Sequence, residues 1–216
     1  MQRIDVNVRQ IADFALSHIK KNNIDAAEVM IGEGRGFSVT ARLQDVETLE
    51  HHDKKSFTVT VIHNQCTGSA SSADFSQQSI IATTEKAITI ARFSSPDPFS
   101  GLADKDRLAF QYPNCDLYHP WDITPADAIA LAIDCEKKAC AFDKRIINSE
   151  GASVSTVSSH SLYANTLGFL GEYEVSDHAI SCSVVGSDGK QMQRDDEYTV
   201  ALNPKDLWSI DRVAKR

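Results

Sequence analysis

The chain contains 216 residues, of which 42% are hydrophobic and 24% charged, and its formal net charge is −8. This length suits one large domain or two small ones, and the globular composition excludes a wholly disordered chain. The apolar runs are far shorter than the ~20 residues that a membrane span needs. The excess of acidic residues disfavours a nucleic acid as the main partner. We therefore expect neither a nucleic-acid partner nor a membrane partner.

The N-terminus and the cysteines predict a cytoplasmic protein. Residues 1–5 show neither the basic and then apolar pattern of an export signal nor a small-residue cleavage site. An odd number of cysteines in irregular spacing, without a C-x-x-C pair, favours reduced thiols over a disulfide framework. The five are Cys66, Cys115, Cys135, Cys140 and Cys182.

The first part of the chain predicts a helix followed by a meander of about four strands. Apolar residues recur at helical spacing over 8–21, and Asn22-Asn23 offers a stop. Segments typical of strands lie at 27–31, 37–43, 46–50 and 57–62, and 67–72 suits an edge strand. A second amphipathic helix follows, capped by Asp74 or Ser76.

Residues 94–124 carry four of the six prolines: Pro96, Pro98, Pro113 and Pro120. A structureless stretch of this length is unusual inside a compact domain. Its apolar residues, among them Phe110 and Trp121, indicate packing and exclude a free tether. We interpret the segment as a linker that wraps a surface between two subdomains.

The second part of the chain predicts one more helix and then antiparallel strands. Thr124, Pro125 and Asp127 form the signature of a capping box with proline in the first turn. From Arg145 onward the pattern is β, over 146–148, 152–158, 160–166, 169–175, 178–185 and 190–201. Hairpin breaks are expected at Glu150-Gly151, Gly168 and 187–189.

These elements predict an α+β fold of two subdomains, each an antiparallel β-meander with packed helices. We assign residues 1–93 to the first subdomain, 94–124 to the linker and 125–203 to the second subdomain. Residues 204–216 begin a further helical pattern that stops without a cap, which predicts the start of a truncated C-terminal region. A Glu-Gly pair in each half leaves a duplication open, on weak evidence.

The histidines do not form a recognisable metal motif. They stand at positions 18, 51, 52, 63, 119, 160 and 178, and none begins H-E-x-x-H. His51, His52 and His63 lie on neighbouring predicted strands, where two could meet, but exposed sheet histidines are the favoured interpretation. Two cysteines five residues apart on a helix, Cys135 and Cys140, do not share a face and make a poor metal pair.

Other short motifs have simpler explanations than catalysis. The glycines of 32–36 lack the Rossmann spacing and precede a strand, so a turn or bulge with positive φ is expected. Residues 68–72 resemble a nucleophile elbow without its closing glycine, and close backbone or peptide approach is favoured. The acidic groups 195–197 and 104–106 are expected to be solvated. We therefore predict no catalytic, cofactor-binding or metal residue.

Four longer segments together resemble a known family. They are Gly68–Asp74, Arg92–Asp104, Asp116–Trp121 and Lys144–Ala152, the Ser-Pro-Asp-Pro and Asn-Ser-Glu-Gly runs being the most specific. Their order and content resemble the PmbA/TldD family, also described as modulators of DNA gyrase, and are most similar to the PmbA (TldE) arm. One departure is Lys54-Lys55-Ser56, where the family often has glycines before a strand.

This resemblance implies a function that the residues alone do not give. Family members pair into a two-subunit cytoplasmic metallopeptidase that cleaves unfolded peptides, in peptide-antibiotic maturation and antitoxin degradation. The TldD-type subunit carries the H-E-x-x-x-H zinc motif, and the PmbA-type subunit lacks it. The chain would then be the N-terminal part of a non-catalytic subunit, with no cofactor of its own. Its partners would be a zinc-bearing TldD-type subunit and an unfolded peptide substrate.

Two alternatives stay open. The chain could be a protein-binding modulator of DNA gyrase without a peptidase role, as the family's older name suggests. It could also be a non-functional truncation that exposes apolar surface and aggregates.

Overall fold

The computed structural model describes residues 7–216, so residues 1–6, including the whole stretch 1–5 judged to lack an export signal, lie outside the description. The described helices and strands are α1 (Val8–Lys20), β1 (Ala26–Arg42), β2 (Asp45–His63), β3 (Cys66–Ser72), α2 (Gln77–Phe93), α3 (Pro125–Phe142), β4 (Ile146–Asn165), β5 (Leu170–Ser187), β6 (Met192–Ala201) and α4 (Ile210–Lys215). Short 3₁₀ turns lie at Lys105–Arg107 and Pro204–Asp206.

All six described strands belong to one antiparallel sheet in the order β3-β2-β1-β4-β5-β6. The predicted α+β class, with antiparallel meanders and packed helices, is confirmed. The first strands of the two halves pair with each other, β1 residues 28–41 against β4 residues 152–165. The two meanders therefore share one continuous sheet. The residue boundaries of the subdomains, the linker and the truncated end stay predictions.

Helices cover one face of this sheet in two separate places. Near one end of the long strands, α1 and α2 pack on Val29, Ile31 and Phe57. Towards the other end, α3 and α4 pack on Val39 and Val154. The residues of β1 that enter both clusters alternate along the strand, so both helix pairs lie on the same face.

The helix starts follow the sequence signals. The Thr124 hydroxyl accepts from the Asp127 N–H at 3.2 Å, and the Asp127 carboxylate accepts from the Thr124 N–H at 3.2 Å, which confirms the predicted capping box of α3. Ser76, one of the two predicted caps, accepts from the Ser79 N–H at the start of α2. Asp74 instead accepts from the Ser76 N–H and hydroxyl.

The turn or bulge predicted at 32–36 is wrong, because β1 continues through all three glycines with ordinary extended backbone. These glycines serve close strand packing. A Cβ on Gly36 would lie 2.0 Å from the Thr156 carbonyl oxygen of β4. The strand therefore needs glycine here because it lies so close to its neighbour.

Two other predicted breaks are also wrong. The strands expected at 46–50 and 57–62 are one strand, β2, which runs unbroken through Lys54-Lys55-Ser56. Glu150-Gly151 is a bulge inside β4, where the register with β5 shifts and Gly151 has φ +108°. The breaks at Gly168 and 187–189 are confirmed as hairpin turns.

The β1–β2 turn was missed because its residues are not typical turn formers. Leu43 and Gln44 both have positive φ, 54° and 62°, as a two-residue hairpin turn requires. The carboxylate of Glu136 on α3 compensates for this conformation. It is 1% exposed and accepts from the Leu43 N–H at 2.8 Å and the Gln44 N–H at 2.7 Å. A side chain from the second half thus holds a turn of the first.

Residues 94–124 run around the sheet, and we call the part from 109 to 121 the strap. The Asp97 N–H donates to the Gln65 carbonyl in the β2–β3 turn at 2.9 Å. Further on, Phe110 packs edge-on against Phe169, and the Leu117 carbonyl accepts from the Ser176 N–H at 3.1 Å. The strap therefore lies along the stretch of β5 that precedes its pairing with β6 at His178.

Replacing Glu136 with alanine is expected to lower the free energy of unfolding by about 3 kcal/mol, because two turn N–H groups lose a charged acceptor. Urea denaturation gives the measurement, with the exposed Lys137→Ala on the same helix as control. A loss no larger than that of Lys137→Ala would contradict the role of Glu136 at the turn.

β3 packs closely on α2, which confirms that the small residues of 68–72 allow another backbone to approach. This packing also gives a second prediction. A Cβ on Gly68 would lie 2.1 Å from the Ala87 carbonyl oxygen and 2.3 Å from the Ala91 nitrogen. Gly68→Ala should therefore destabilise the fold by about 1–3 kcal/mol. Gly101→Ala, whose Cβ would meet no described atom within 4 Å, should change thermal stability little. Similar melting temperatures for both variants would refute the packing argument.

Candidate functional sites

A cavity of about 810 Å³ lies between the strap and the start of β5, and we call it the strap pocket. It is lined by Ala109, Tyr112, Pro113, Asn114, Cys115, Asp116, Leu117, Tyr118, Tyr163, Phe169, Gly171, Glu172, Tyr173 and Glu174. Five aromatic rings and three carboxylates stand among these residues, and neither lysine nor arginine does. Its volume is in the range of small-ligand sites.

Specific contacts fix the walls of the strap pocket. The Tyr112 hydroxyl accepts from the Glu172 N–H at 3.2 Å, which attaches the strap to the strand. The Tyr163 hydroxyl donates to Glu28 at 2.7 Å, and its ring packs on Phe169. Arg9 of α1 donates to the Glu172 carboxylate and lowers the pKa of Glu172. One carboxylate of the pocket is thereby neutralised, and Asp116 and Glu174 are exposed.

A second cavity of about 440 Å³ lies where the ends of α3 and α4 meet β5 and β6. Its floor is apolar and includes Phe142, Val184 and Val213. Its rim is charged, with Asp195, Asp196 and Glu197 of β6 opposite Arg145 and Arg216. Arg145 also holds the pKa of Asp143 far below its usual range through a two-point ion pair.

Two thiols meet beneath this second cavity. Cys135 of α3 is fully buried, Cys182 of β5 is 5% exposed, and both belong to the same core cluster. The neighbouring Cys135 thiol and burial raise the pKa of the Cys182 thiol, which makes it unreactive as a nucleophile. Cys140 is half-buried and also has a raised pKa because of desolvation. We therefore assign the Cys135–Cys182 pair to the core.

Glu33 is an unexpected buried carboxylate in the middle of β1. It is 4% exposed, and neither of its oxygens has a hydrogen-bond partner among the described residues. Burial raises the pKa of Glu33, although Lys55 on β2 and Arg35 oppose the shift. The Ser158 hydroxyl, two residues from the Glu33 partner His160 on β4, is likewise buried without a partner.

The seven histidines do not converge on one point in the described structure. His18 contacts Glu85, His63 lies 3.7 Å from Asp25, and His160 lies 3.6 Å from Glu172. His51 packs on Phe37, and His52 lies 3.3 Å from the Ser38 hydroxyl on the opposite face of the sheet. Over residues 7–216, no cluster of three or more His, Cys, Asp or Glu side chains is placed to hold a metal.

His178 has a structural role that the sequence did not reveal. It is fully buried, its Nδ1 faces the Thr156 hydroxyl at 2.9 Å, and its Nε2 faces the His119 carbonyl at 2.9 Å. Trp121 packs edge-on against its ring. This histidine therefore joins the strap to the sheet beside the strap pocket.

The acidic groups lie at the surface, as predicted. Asp195 and Asp196 are exposed on β6, whereas Glu197 is half-buried and pairs with Arg216. Asp104 precedes an exposed 3₁₀ turn, and Asp106 lies within it. The strap pocket was missed because its aromatic residues come from the linker and from the β4–β5 hairpin, which are far apart in sequence. A signal for Glu33 did exist, because it occupies an inward position in the alternation of Val29, Ile31 and Phe37.

Comparison with known proteins indicates the family of the chain, which the two cavities do not. Residues 27–91 match PmbA/TldA metallopeptidase domain 1, and residues 118–216 match the PmbA/TldA metallopeptidase central domain. The chain belongs to the PmbA/TldD family. The resemblance carried by the Ser-Pro-Asp-Pro and Asn-Ser-Glu-Gly segments is thus confirmed. In the described part of the chain, no helix combines the length and apolar character needed to cross a membrane.

Two curated PmbA/TldD relatives align with nearly the whole chain. It is 38% identical over 208 residues to metalloprotease PmbA of Escherichia coli, covering 95% of this chain and 46% of the relative. It is 39% identical over 213 residues to the metalloprotease PmbA homolog of Haemophilus influenzae, covering 97% and 47%. The chain therefore spans about half the length of the curated relatives it matches.

Solved structures show the same fold. A protein described as a modulator of DNA gyrase from Bacteroides thetaiotaomicron superposes with a TM-score of 0.86 at 21% identity, over 97% of this chain and 50% of that one. TldE from Thermococcus kodakarensis superposes with a TM-score of 0.72 at 14% identity, over 98% and 46%.

Glu33 makes stability depend on pH. Because its pKa is raised in the folded state, the folded chain retains the proton more strongly than the unfolded chain, and stability falls as pH rises through the folded pKa. Glu33→Gln cannot ionise, so its free energy of unfolding should exceed that of the parent by about 1 kcal/mol near pH 8. This advantage should shrink towards about pH 4, where the parent Glu33 is protonated.

Urea denaturation across this pH range gives the measurement, and Glu50→Gln, an exposed carboxylate on β2, is the matched control. A Glu33→Gln curve parallel to that of the parent at every pH would show that Glu33 is not the titrating group.

Proposed function

We propose that this chain is the front part of a PmbA-type subunit of a two-subunit cytoplasmic metallopeptidase, and that it handles unfolded peptide without carrying the zinc. The observation that carries this proposal is the 38% identity over 208 residues to metalloprotease PmbA. The TldE fold of the Thermococcus structure supports the choice of the zinc-free arm. The chain supplies fold and binding surface, and the TldD-type partner supplies zinc and catalysis.

The contacts made by the histidine side chains support a non-catalytic role. Several of them face a carboxylate or a hydroxyl of their own, as His18 does with Glu85 and His178 with Thr156. A catalytic zinc needs three protein ligands converging on one point and leaving a position open for water. The described histidines instead make separate contacts, each of which helps to hold a strand, a helix or the strap in place.

The sheet face opposite the helices offers a surface for a partner. Met30, Tyr173, Tyr198 and Val200 are more than half exposed there, on the three strands β1, β5 and β6. Gly34 of β1 and Ser159 of β4, which are directly paired, add small residues to the same face. We assign this face to contact with the TldD-type subunit, because a wide surface with exposed aromatic residues is typical of interaction sites.

The free thiols support a reducing compartment. All five cysteines are unbridged in the structure, including the adjacent pair Cys135 and Cys182. Structural disulfides are rare in the cytosol, and adjacent thiols persist where the compartment is reducing. This agrees with the proposed cytoplasmic location.

Reconstitution with a TldD-type partner tests the proposed function. The two chains are co-expressed, purified together, and assayed for cleavage of an unfolded peptide and for zinc by elemental mass spectrometry. We expect cleavage only by the pair, and zinc only in the partner. Tyr198→Asp on the exposed face should weaken the association, whereas Lys137→Ala, at an exposed position of α3 on the helix-covered side of the sheet, should leave it unchanged.

Stoichiometric zinc on this chain alone, or cleavage without the partner, would overturn the proposal. Recovery of gyrase in place of a TldD-type subunit in a pull-down would favour the gyrase-modulator alternative.

A further inference from the structure

We propose that the strap pocket binds an arginine or lysine side chain of an extended peptide that lies against the edge of β5. This inference rests on the proposed function only in taking the ligand to be a peptide substrate. The pocket itself is defined by the strap, the β4–β5 hairpin and the start of β5.

The edge of β5 is incompletely covered in this region. β6 pairs with β5 only from His178 to Ser187. In the preceding stretch, the strap takes two outward N–H groups, Ser176 to the Leu117 carbonyl and Glu172 to the Tyr112 hydroxyl. Alternate peptide groups of a strand face the same edge, so Glu174 directs its N–H and carbonyl to the same side, between these two attachments. A segment in extended conformation can pair there by strand addition.

The lining of the pocket selects a cation. Tyr112, Tyr118 and Tyr173 present aromatic rings, which attract a guanidinium or ammonium group placed over their faces. Asp116 adds negative charge, while Glu172 is already paired with Arg9, and the Glu174 side chain points to the opposite face of the sheet from Tyr173. His119 lies 3.6 Å from Asp116 on the strap. Since the lining contains neither lysine nor arginine, the positive charge has to come from the ligand.

The shape favours a side chain that belongs to a peptide over a free amine. The cavity of about 810 Å³ is larger than one arginine side chain fills, and residues 171–174 at the edge of β5 are part of its lining. A peptide would use both features, with its basic side chain among the aromatic rings and its backbone against Glu174. A free amine would use only the rings and carboxylates.

Fluorescence anisotropy with two labelled heptapeptides tests the proposal. The peptides are identical except for a central arginine or its neutral isostere citrulline, and the protein is the chain without a partner or zinc. We expect the arginine peptide to bind about tenfold more tightly. Asp116→Asn, a change at an exposed side chain, should reduce this preference severalfold, as should Tyr173→Leu. Glu50→Gln on β2 is the matched control and should leave the preference intact.

Equal binding of the two peptides, or an arginine preference that survives both Asp116→Asn and Tyr173→Leu, would overturn the proposal. Competition by N-acetyl-arginine amide as strong as that of the whole peptide would also overturn it, because the strand edge would then contribute nothing. The assay needs no cleavage. Its failure would therefore leave the reconstituted peptidase result standing, and failure of reconstitution would leave an observed arginine preference standing.

Discussion

The pairing of β1 with β4 is the interaction on which the rest of the structure depends. These strands are the central pair of the sheet, and each begins the meander of its own half. Without their pairing, each half would expose a long edge strand with unsatisfied backbone groups. The absence of a side chain at Gly36 allows the close approach of Thr156 at this joint. The carboxylate of Glu136, which holds the Leu43–Gln44 turn from α3, adds a second connection between the halves.

The helices pack on the long strands in two places, and the stretch of sheet between them is polar where the two packed regions are apolar. Between the two apolar clusters, the same face of β1 carries Glu33 and Arg35, opposite Lys55, His160 and Ser158 on the neighbouring strands. A buried carboxylate without partners is unfavourable, so this zone is retained against a cost in stability. It also explains why the strand prediction failed here. Glycines and polar residues interrupt the apolar alternation, although backbone pairing continues through them.

Features that depend on neighbouring residues can be predicted from the sequence. Features that depend on contacts between distant segments cannot. The capping box at Thr124, the stripe of α1 and the hairpin break at Gly168 are each local signals, and each is confirmed. The Leu43–Gln44 turn was not predictable, since its positive φ angles depend on a carboxylate 92 residues away from Gln44. The strap pocket was not predictable for the same reason, because Tyr112 and Tyr173 meet only when the strap lies on β5. The family resemblance succeeded because it used several specific segments in order.

Ser176 links the strap to the end of β6 and thereby helps to define the strap pocket. Its hydroxyl is fully buried, accepts from the His119 N–H at 2.8 Å and donates to the Leu202 carbonyl at 2.8 Å, just past the end of β6. The same residue thus contacts both the strap and the point where the chain leaves the sheet. If β6 continued in register along β5, it would occupy the place of the strap and cover the edge at Glu174. The cavity therefore follows from the short length of β6 and from the strap that replaces it along β5. Ser176, which is fully buried beside the sheet edge, contacts both the strap and the end of β6 and so couples their positions.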